Sequence, residues 1–585
     1  MPSSPNAAES LLAVDVGTVT TRAAFFDVVK DHYRFIASGH APTTAAAPYK
    51  DVGEGVRQAI ENLQIVTGRK FLGEGNVLLM PPTEGSGVDS FAATFSAGPA
   101  IRTAVVGLLD EVSLESSLRL ARSTYVNVIE TIGLNDTRKV EEQIDSLVRL
   151  RPEMILIAGG TDGGAIRSVQ RLMEIIGLAC FLMPAEKRPG LLFAGNQSMT
   201  DEVKKSLQPL TSYLTISPNL RPGIDHEDLQ PAHRCLTELY AHVRRGQMKG
   251  VDELNSWAGN TLMPTASAEG RIIRFLSHVY DSSKGILGVD LGAAAATVAA
   301  AFGGDLTLGV YPQLGLGEGL SSLLRYTSLE DILKWISLDI PGETVRDYLF
   351  QKSIYPASLP ATVEELAIEQ AAARQCLYVA MHSASRDFPR KARRAAHGLT
   401  PYFEPILAAG SVVTRAPSLA QGLQILLDGI QPVGITTFIL DQNNLLPALG
   451  AAASRNFILP IQILESGAFL GLATVVAPYV NARHGTPVLR ARLLYQNGNE
   501  SRIEVKQGAL EVLPLPAGQT GRLYLQPLAH ADIGFGPDRT REEGIPVSGT
   551  ALGLVIDARG RPLRFPPDAG RRREIIKKWL WTLGG

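Results

Sequence analysis

Apolar positions fill residues 11–16, interrupted only by Asp15, and stop at Gly17, then dominate again over 22–28 and 33–38 with Lys30-Asp31-His32 between the last two. Three short apolar segments in close succession predict an antiparallel meander. Val56, Ile60 and Leu63 recur at helical spacing within 55–66, so a helix is expected to cover one face of that meander. From residue 77 the texture changes to strands alternating with helices, the pattern of a parallel sheet. Val140, Ile144, Leu147 and Val148 form one helical stripe that leads through Arg151-Pro152 into an apolar strand over 154–158. The glycine-rich segment 159–164 follows, then a helix carrying Ile166, Val169, Leu172, Met173 and Ile176, then a strand over 191–194. Residues 77–220 therefore read as an α/β insert.

A second strand of the opening type, residues 285–291, ends in Asp290-Leu-Gly292, so the device that opens the chain recurs about half a chain later. Internal duplication of this kind marks a two-lobed protein. A long helix is expected over 363–382, an apolar strand over 405–410 that runs into Gly410-Ser411, and a helix from Ser418. Beyond residue 479 the texture is β-rich, with hairpin punctuation at 496–499 and 558–561. The tail 571–585 reads as a cationic helix with Ile575, Ile576, Trp579, Leu580 and Leu583 as its apolar side, suited to docking on its own protein, on a partner or on a membrane surface. The expected division is 1–76 for the opening of the first lobe, 77–284 for the insert and the rest of that lobe, 285–479 for the second lobe, 480–570 for a small β domain and 571–585 for the terminal helix.

Composition adds exclusions. With 45% hydrophobic and 19% charged residues over 585 positions, the chain is an ordinary globular protein able to bury large cores. A formal charge of −2 gives no basic footprint for nucleic acid. Cys180, Cys235 and Cys376 lie far apart and form no C-x-x-C pair, which excludes a disulfide framework and a structural metal and fits a reducing cytoplasm. The first nine residues carry no cationic and apolar leader pattern, and no stretch reaches the roughly 18 to 20 apolar residues of a membrane helix. His226, His233 and His242 lack metal-ligand spacing.

Chemistry concentrates at turns. A phosphate needs close backbone N–H donors and hydroxyls, and its magnesium ion needs a carboxylate that reaches it through water. Asp15-Val-Gly17-Thr18-Val-Thr20-Thr21 supplies all of these directly after an apolar strand: Asp15 for the metal, Gly17 for the turn and close approach, Thr18, Thr20 and Thr21 as hydroxyls. A plain tight turn would use the same Asp and Gly for conformation alone. Asp290-Leu-Gly292 occupies the matching place in the second lobe, again with water-mediated magnesium contact through Asp290, although alanines follow it. Gly410 and Ser411 supply the turn expected over base and ribose. Taken in order on a duplicated scaffold, these turns predict an α/β, actin-like (ribonuclease H-like) two-lobed fold binding a nucleotide. Gly159, Gly160, Thr161, Asp162, Gly163 and Gly164 form a separate candidate ligand turn that opens a helix, or else a tight strand-to-helix connection.

The order of these motifs resembles the glutamate mutase accessory protein family, called MutL or GlmL, of the actin-like ATPase superfamily. The resemblance spans residues 11–479 and is carried by Asp15 to Arg22, Thr43-Thr44 with Asp51-Val-Gly53, Ser96-Ala-Gly-Pro-Ala, the Gly-Gly-Thr-Asp-Gly-Gly run at 159–164, Phe193-Ala-Gly-Asn196 and Gly288-Val-Asp-Leu-Gly292. It implies a nucleotide-binding, chaperone-like accessory or reactivation factor of an adenosylcobalamin-dependent mutase, with ATP or ADP and magnesium as cofactor and no cobalamin ligand of its own. The family's second-lobe turn resembles Asp-x-Gly-Gly-Ala-Thr-Thr-Asp, whereas Ala293, Ala295, Ala296 and Thr297 stand here at the second Gly, both Thr and the final Asp. Those losses weaken phosphate and magnesium contacts by about 1 kcal/mol or more for each missing charge-assisted hydrogen bond. A slow ATPase at most is expected, with no catalytic residue assigned. The alternative is a pseudo-ATPase scaffold that keeps the fold for protein or membrane-surface interaction; self-association into a homo-oligomer stays open.

Overall fold

The computed structural model describes residues 9–585, so most of the N-terminal stretch read for a leader lies outside the described residues. The chain divides into two compact units: the first takes the chain up to Ala268 together with Ala451–Asn456, the second Glu269–Gly450 and Phe457–Gly585.

In the first unit, β1 (Leu11–Val16) is the central strand of its sheet and is buried at every position, Asp15 included. It pairs antiparallel with β2 (Thr20–Val29), which pairs with β3 (His32–Pro42), completing the predicted meander. The helix Val52–Thr67 begins at Asp51, whose carboxylate accepts from Gly53 N, and buries Val56, Ile60 and Leu63. β4 (Ser90–Phe95) then lies parallel to β1 on its other side.

Five strands intervene before this sheet resumes: β5 (Ile101–Val106), β6 (Val126–Ile132), β7 (Met154–Ile157), β8 (Gly190–Phe193) and β9 (Tyr213–Ile216). All pair parallel in the order β6-β5-β7-β8-β9, the doubly wound arrangement whose topological switch falls between β5 and β7. Its core holds Ile155, Ile157, Val169, Leu172, Ile176 and Phe193. The insert sheet thus starts at Ile101, while β4 belongs to the first sheet. β10 (Met263–Pro264) returns to lie parallel to β4, giving the first sheet the order β3-β2-β1-β4-β10.

The second unit repeats that scheme. β11 (Gly285–Leu291), β12 (Ala296–Phe302) and β13 (Asp305–Tyr311) form an antiparallel meander, and β14 (Phe403–Ala409) and β15 (Gly434–Leu440) continue parallel on the far side of β11. The order β13-β12-β11-β14-β15 matches that of the first sheet strand for strand. The helix Val363–Ala384 lies between β13 and β14 along the chain, and the helix Leu419–Ile430, capped by Ser418, between β14 and β15.

From residue 470 onward the chain serves two sheets. β16 (Leu470–Ala477) pairs antiparallel with β15; β17 (Pro487–Tyr495) and β18 (Glu500–Lys506) form a hairpin closed at 496–499, where Gly498 has φ +83°. β19 (Leu510–Leu513), β20 (Thr520–Pro527), β21 (Ile545–Ser548) and β22 (Leu554–Asp557) follow. A four-stranded sheet β18-β17-β20-β21 forms, but β22 and β19 extend the unit's main sheet beyond β16 to eight strands.

No strand follows Ala558-Arg-Gly-Arg561, so the hairpin expected there is not formed. Arg559 and Arg561 turn inward instead: Arg559 bonds Asp557 Oδ1 at 2.8 Å and Asp428 Oδ1 at 2.7 Å, and Arg561 bonds Asp557 Oδ2 at 2.7 Å. The terminal helix is Ala569–Thr582; it buries Ile576, Trp579 and Leu583 in the second unit's own core, and Trp579 lies 4.6 Å from the Arg559 guanidinium. Only Trp581 of its large apolar side chains is exposed. Among the described residues no helix is long and apolar enough to cross a membrane.

Candidate functional site

Asp15 closes β1 as a buried carboxylate, where the carboxyl ends of the parallel strands β1, β4 and β10 meet. Thr94 Oγ1, on β4, donates to Asp15 Oδ1 at 2.7 Å; Thr265 Oγ1, directly after β10, donates to the same oxygen at 2.8 Å. Two hydroxyls donating to one oxygen hold the carboxylate in place at the strand ends. Gly17 N bonds Thr20 O at 3.1 Å to close the turn, and a Cβ on Gly17 would lie 2.8 Å from that carbonyl, so the turn admits only glycine without shifting. Thr43 fastens it from outside: its hydroxyl donates to Gly17 O at 2.7 Å, its N–H to Val19 O, and Thr21 Oγ1 lies 2.9 Å from Thr43 Oγ1. Thr21 is thereby buried and engaged within the protein, whereas Thr18 and Thr20 remain half-buried at the turn itself. Thr18 Oγ1 makes one long contact to Ser96 O, 3.5 Å.

The second unit builds the same turn. Asp290 pairs with Thr297 across the strands as Asp15 pairs with Arg22, and Gly292 N bonds Ala295 O at 3.1 Å. The position of Thr18 is thus taken by Ala293 and that of Thr20 by Ala295. Here the strap is Gly315-Leu316-Gly317: Leu316 N bonds Gly292 O and Gly317 N bonds Ala293 O. A Cβ on Gly315 would meet Ala293 O at 2.7 Å, and one on Gly317 would meet the Ala293 Cβ at 3.2 Å. Glycine at 315 and 317 thus lets the strap approach the turn closely. Thr297 Oγ1 is buried without a hydrogen-bond partner.

Gly410 follows β14, whose end registers with that of β11 (Asp290 beside Ala409). Its φ of +96° and a would-be Cβ 2.4 Å from Leu291 O make glycine obligatory there on structural grounds alone. Ser411 is exposed and begins a four-residue helix, Ser411–Thr414. On the next parallel strand the sequence offered no warning of Asp441, which caps the helix Leu445–Ala452 by accepting from Leu445 N and Leu446 N at 2.8 Å each. Thr94 and Thr265 were equally silent in the sequence; they are known only through strand pairing.

The run 159–164 connects β7 to the helix Ile166–Leu182 at the topological switch of the insert sheet. Gly159, Gly160 and Gly163 adopt φ of +156°, +72° and +78°. Asn196 clamps the loop, accepting from Gly163 N at 3.1 Å and donating to Gly164 O. Asp162 Oδ1 accepts from Gln197 N at 3.1 Å and from Asn219 Nδ2 at 2.9 Å, and Thr161 O accepts from Gly164 N. Asp162 and two of the glycine amides are therefore already engaged within the protein. The helix that follows has Ala165 at its N-cap and no side-chain cap.

Elsewhere reactive chemistry is suppressed. All three cysteines are free; burial pushes the Cys180 thiol up to about 12 and raises that of Cys376 as well. His242 stacks on Tyr213 with 4.6 Å between rings, and burial lowers its pKa.

Two sheets of identical strand order, each with an Asp-x-Gly turn after its first strand, define an actin-like (ribonuclease H-like) α/β protein. The chain belongs to the MutL protein family, whose model matches residues 11–467. Protein MutL of Clostridium tetanomorphum is 25% identical over 209 residues, 35% of this chain and 43% of that protein, so the match spans less than half the relative's length. Among solved structures, nucleotide-free acetone carboxylase is 12% identical over 86% of this chain and 81% of its own, with a TM-score of 0.32. A nucleotide-free diol dehydratase-reactivating factor is 11% identical over 78% and 99%, with a TM-score of 0.28. The fold assignment rests on the strand order, not on scores of this size.

Proposed function

We propose that this protein is a nucleotide-binding accessory factor, of the chaperone or reactivation kind, for an adenosylcobalamin-dependent mutase. The observation that carries the nucleotide reading is the Asp15 turn: a buried carboxylate held by Thr94 and Thr265, a glycine-closed turn, and Thr18 and Thr20 hydroxyls beside it. Membership in the MutL family supports the accessory role. Asp15 would meet magnesium through water, Gly17, Thr18 and Thr20 the phosphates. The corresponding turn of the second unit keeps the carboxylate at Asp290 and its backbone amides but has no hydroxyls at Ala293 and Ala295. Binding is then stronger than turnover, and ATP hydrolysis is slow.

Melting with and without millimolar Mg-ATP tests this, because a ligand bound only by the folded state at about 100 times its Kd stabilises by about 2.7 kcal/mol. The wild type should melt several degrees higher with nucleotide. Asp15→Ala should keep its ligand-free melting temperature within a few degrees and lose the shift; a retained shift would falsify the assignment. Titration with a purified adenosylcobalamin mutase, with ATP and with ADP, tests the partner. The alanine turn at 293–296 favours one rival, a scaffold that retains the fold without using nucleotide. Complete absence of a thermal shift in the wild type would select it.

A further inference from the structure

The outer face of the four-stranded sheet is a candidate docking surface, and it lies beyond residue 467, where the family match ends. Alternation sends Leu489, Ala491, Leu493, Leu523 and Leu525 inward, where they form a core with Val505 and Val547. The opposite face holds an open concavity of about 510 Å³ lined by Arg490, Arg492, Arg502, Glu504, Tyr524 and Gln526. The three arginine side chains are 57%, 43% and 69% exposed, far more than folding requires. Lys506 and Arg522 stand on the same face by strand alternation, so five cations face two carboxylates, Glu500 and Glu504, in a chain whose formal charge is −2.

The arrangement is partly braced. Arg492 places its guanidinium carbon 4.4 Å from the centroid of the Tyr524 ring, a cation–π contact that braces the side chain. Glu500 Oε2 is 3.6 Å from Arg492 Nη1, too far for a hydrogen bond, but Glu500 Oε1 pairs with Arg502 Nη2 at 2.5 Å, and Arg490 Nε donates to Glu504 Oε2 at 2.8 Å, so both carboxylates are already matched within the face and the cations exceed them. Planar guanidinium forks at fixed spacing on a strand pair match discrete carboxylates.

We propose that this face binds a carboxylate-rich segment of a protein partner. A nucleic acid fits less well: Glu500 and Glu504 interrupt the cations where a continuous phosphate backbone would run, and Tyr524, the aromatic ring in the concavity, is already covered by Arg492. The proposal is independent of the nucleotide reading, since every residue it uses belongs to the outer sheet.

The test is fluorescence anisotropy on the full chain with a labelled synthetic Glu- and Asp-rich peptide. Wild type should bind, more weakly as salt rises. R490Q/R492Q/R502Q should weaken binding by about tenfold with an unchanged melting temperature, because exposed ion pairs contribute little to stability. E500Q/E504Q should tighten it about threefold, a gain that misfolding cannot produce. K577Q/K578Q on the terminal helix serves as a control and should change nothing. Absence of peptide binding, an unchanged affinity in the arginine variant, a loss in the control instead, or tighter binding of a single-stranded oligonucleotide of equal charge to the same face would each overturn the proposal.

Discussion

Single atoms decide whether the turns can exist. Gly410 has both a positive φ and a would-be Cβ 2.4 Å from Leu291 O, so Gly410→Ala must move the end of β14 away from β11. We expect a loss of about 3 kcal/mol, read as a lower denaturant midpoint with little change in slope. Glycine was legible there as a feature of the chain, but its reason was not: the close approach joins residues far apart in sequence. Asp15 was legible because Asp-x-Gly-Thr after an apolar strand is a local pattern. Its two hydroxyl donors were not, since Thr94 and Thr265 reach it only through the pairing of β1, β4 and β10. Thr265→Val removes one donor from a buried carboxylate and should cost about 1 to 2 kcal/mol; if Asp15 holds magnesium, Mg-ATP affinity should fall as well while ligand-free folding is retained. An affinity identical to wild type would show that Thr265 does not position the carboxylate.

Among elements, the terminal helix shows how a cationic sequence can be docked on its own protein. Trp579 buries against Arg559, and Ile576 and Leu583 join the same core, while Trp581 is 81% exposed. Trp579→Ala should therefore destabilise by about 3 to 5 kcal/mol, and Trp581→Ala by less than about 0.5 kcal/mol; comparable losses would contradict the docking described. The periodicity of Ile575, Ile576, Trp579 and Leu583 was readable in advance, although which surface the helix covers was not. The turn at 558–561 deceived for the opposite reason. Arg-Gly-Arg looks like an exposed hairpin tip, but Asp557 pairs with both arginines and Asp428, on a distant helix, pairs with Arg559, which turns them inward.

For the whole molecule, depressed carboxyl groups set the response to acid. Burial alone would raise the Asp557 carboxyl, but the Arg559 and Arg561 charges and hydrogen bonds override it and hold it well below the usual carboxylate range. Burial likewise opposes, and Arg119 and Ser116 outweigh it, at Glu227; at Asp331 burial is overridden by Lys334 and Ser328, which bring it to about 2. These groups are more acidic folded than unfolded, so their stabilisation is complete above the unfolded values near pH 4 and disappears as pH falls toward the folded ones. Glu404 acts oppositely, since burial raises it and deprotonation therefore costs stability as pH rises through its folded value. Melting temperatures should decline steeply from about pH 5 to pH 2, and in the Asp557→Asn variant less of that decline should remain. A pH-independent melting temperature over this range would refute the account. At this scale the opening meander and the alternating insert were legible from hydrophobic period and the duplication from the strand ending in Asp290-Leu-Gly292, whereas the rest of the second meander, β12 and β13, was not. The pairing of β4 with β10, which flank the whole insert, had no local signal.

That pairing sets an order of assembly. Thr94 precedes the inserted sheet and Thr265 follows it, yet both hydroxyls meet on one oxygen of Asp15. The ribosome must have made the entire insert, and its two ends must have come together, before that carboxylate acquires its second donor. Asp15 thus reports on structure it never touches: in a chain truncated within the insert its carboxylate lacks the Thr265 donor, so a fully held carboxylate marks an insert whose two ends have met.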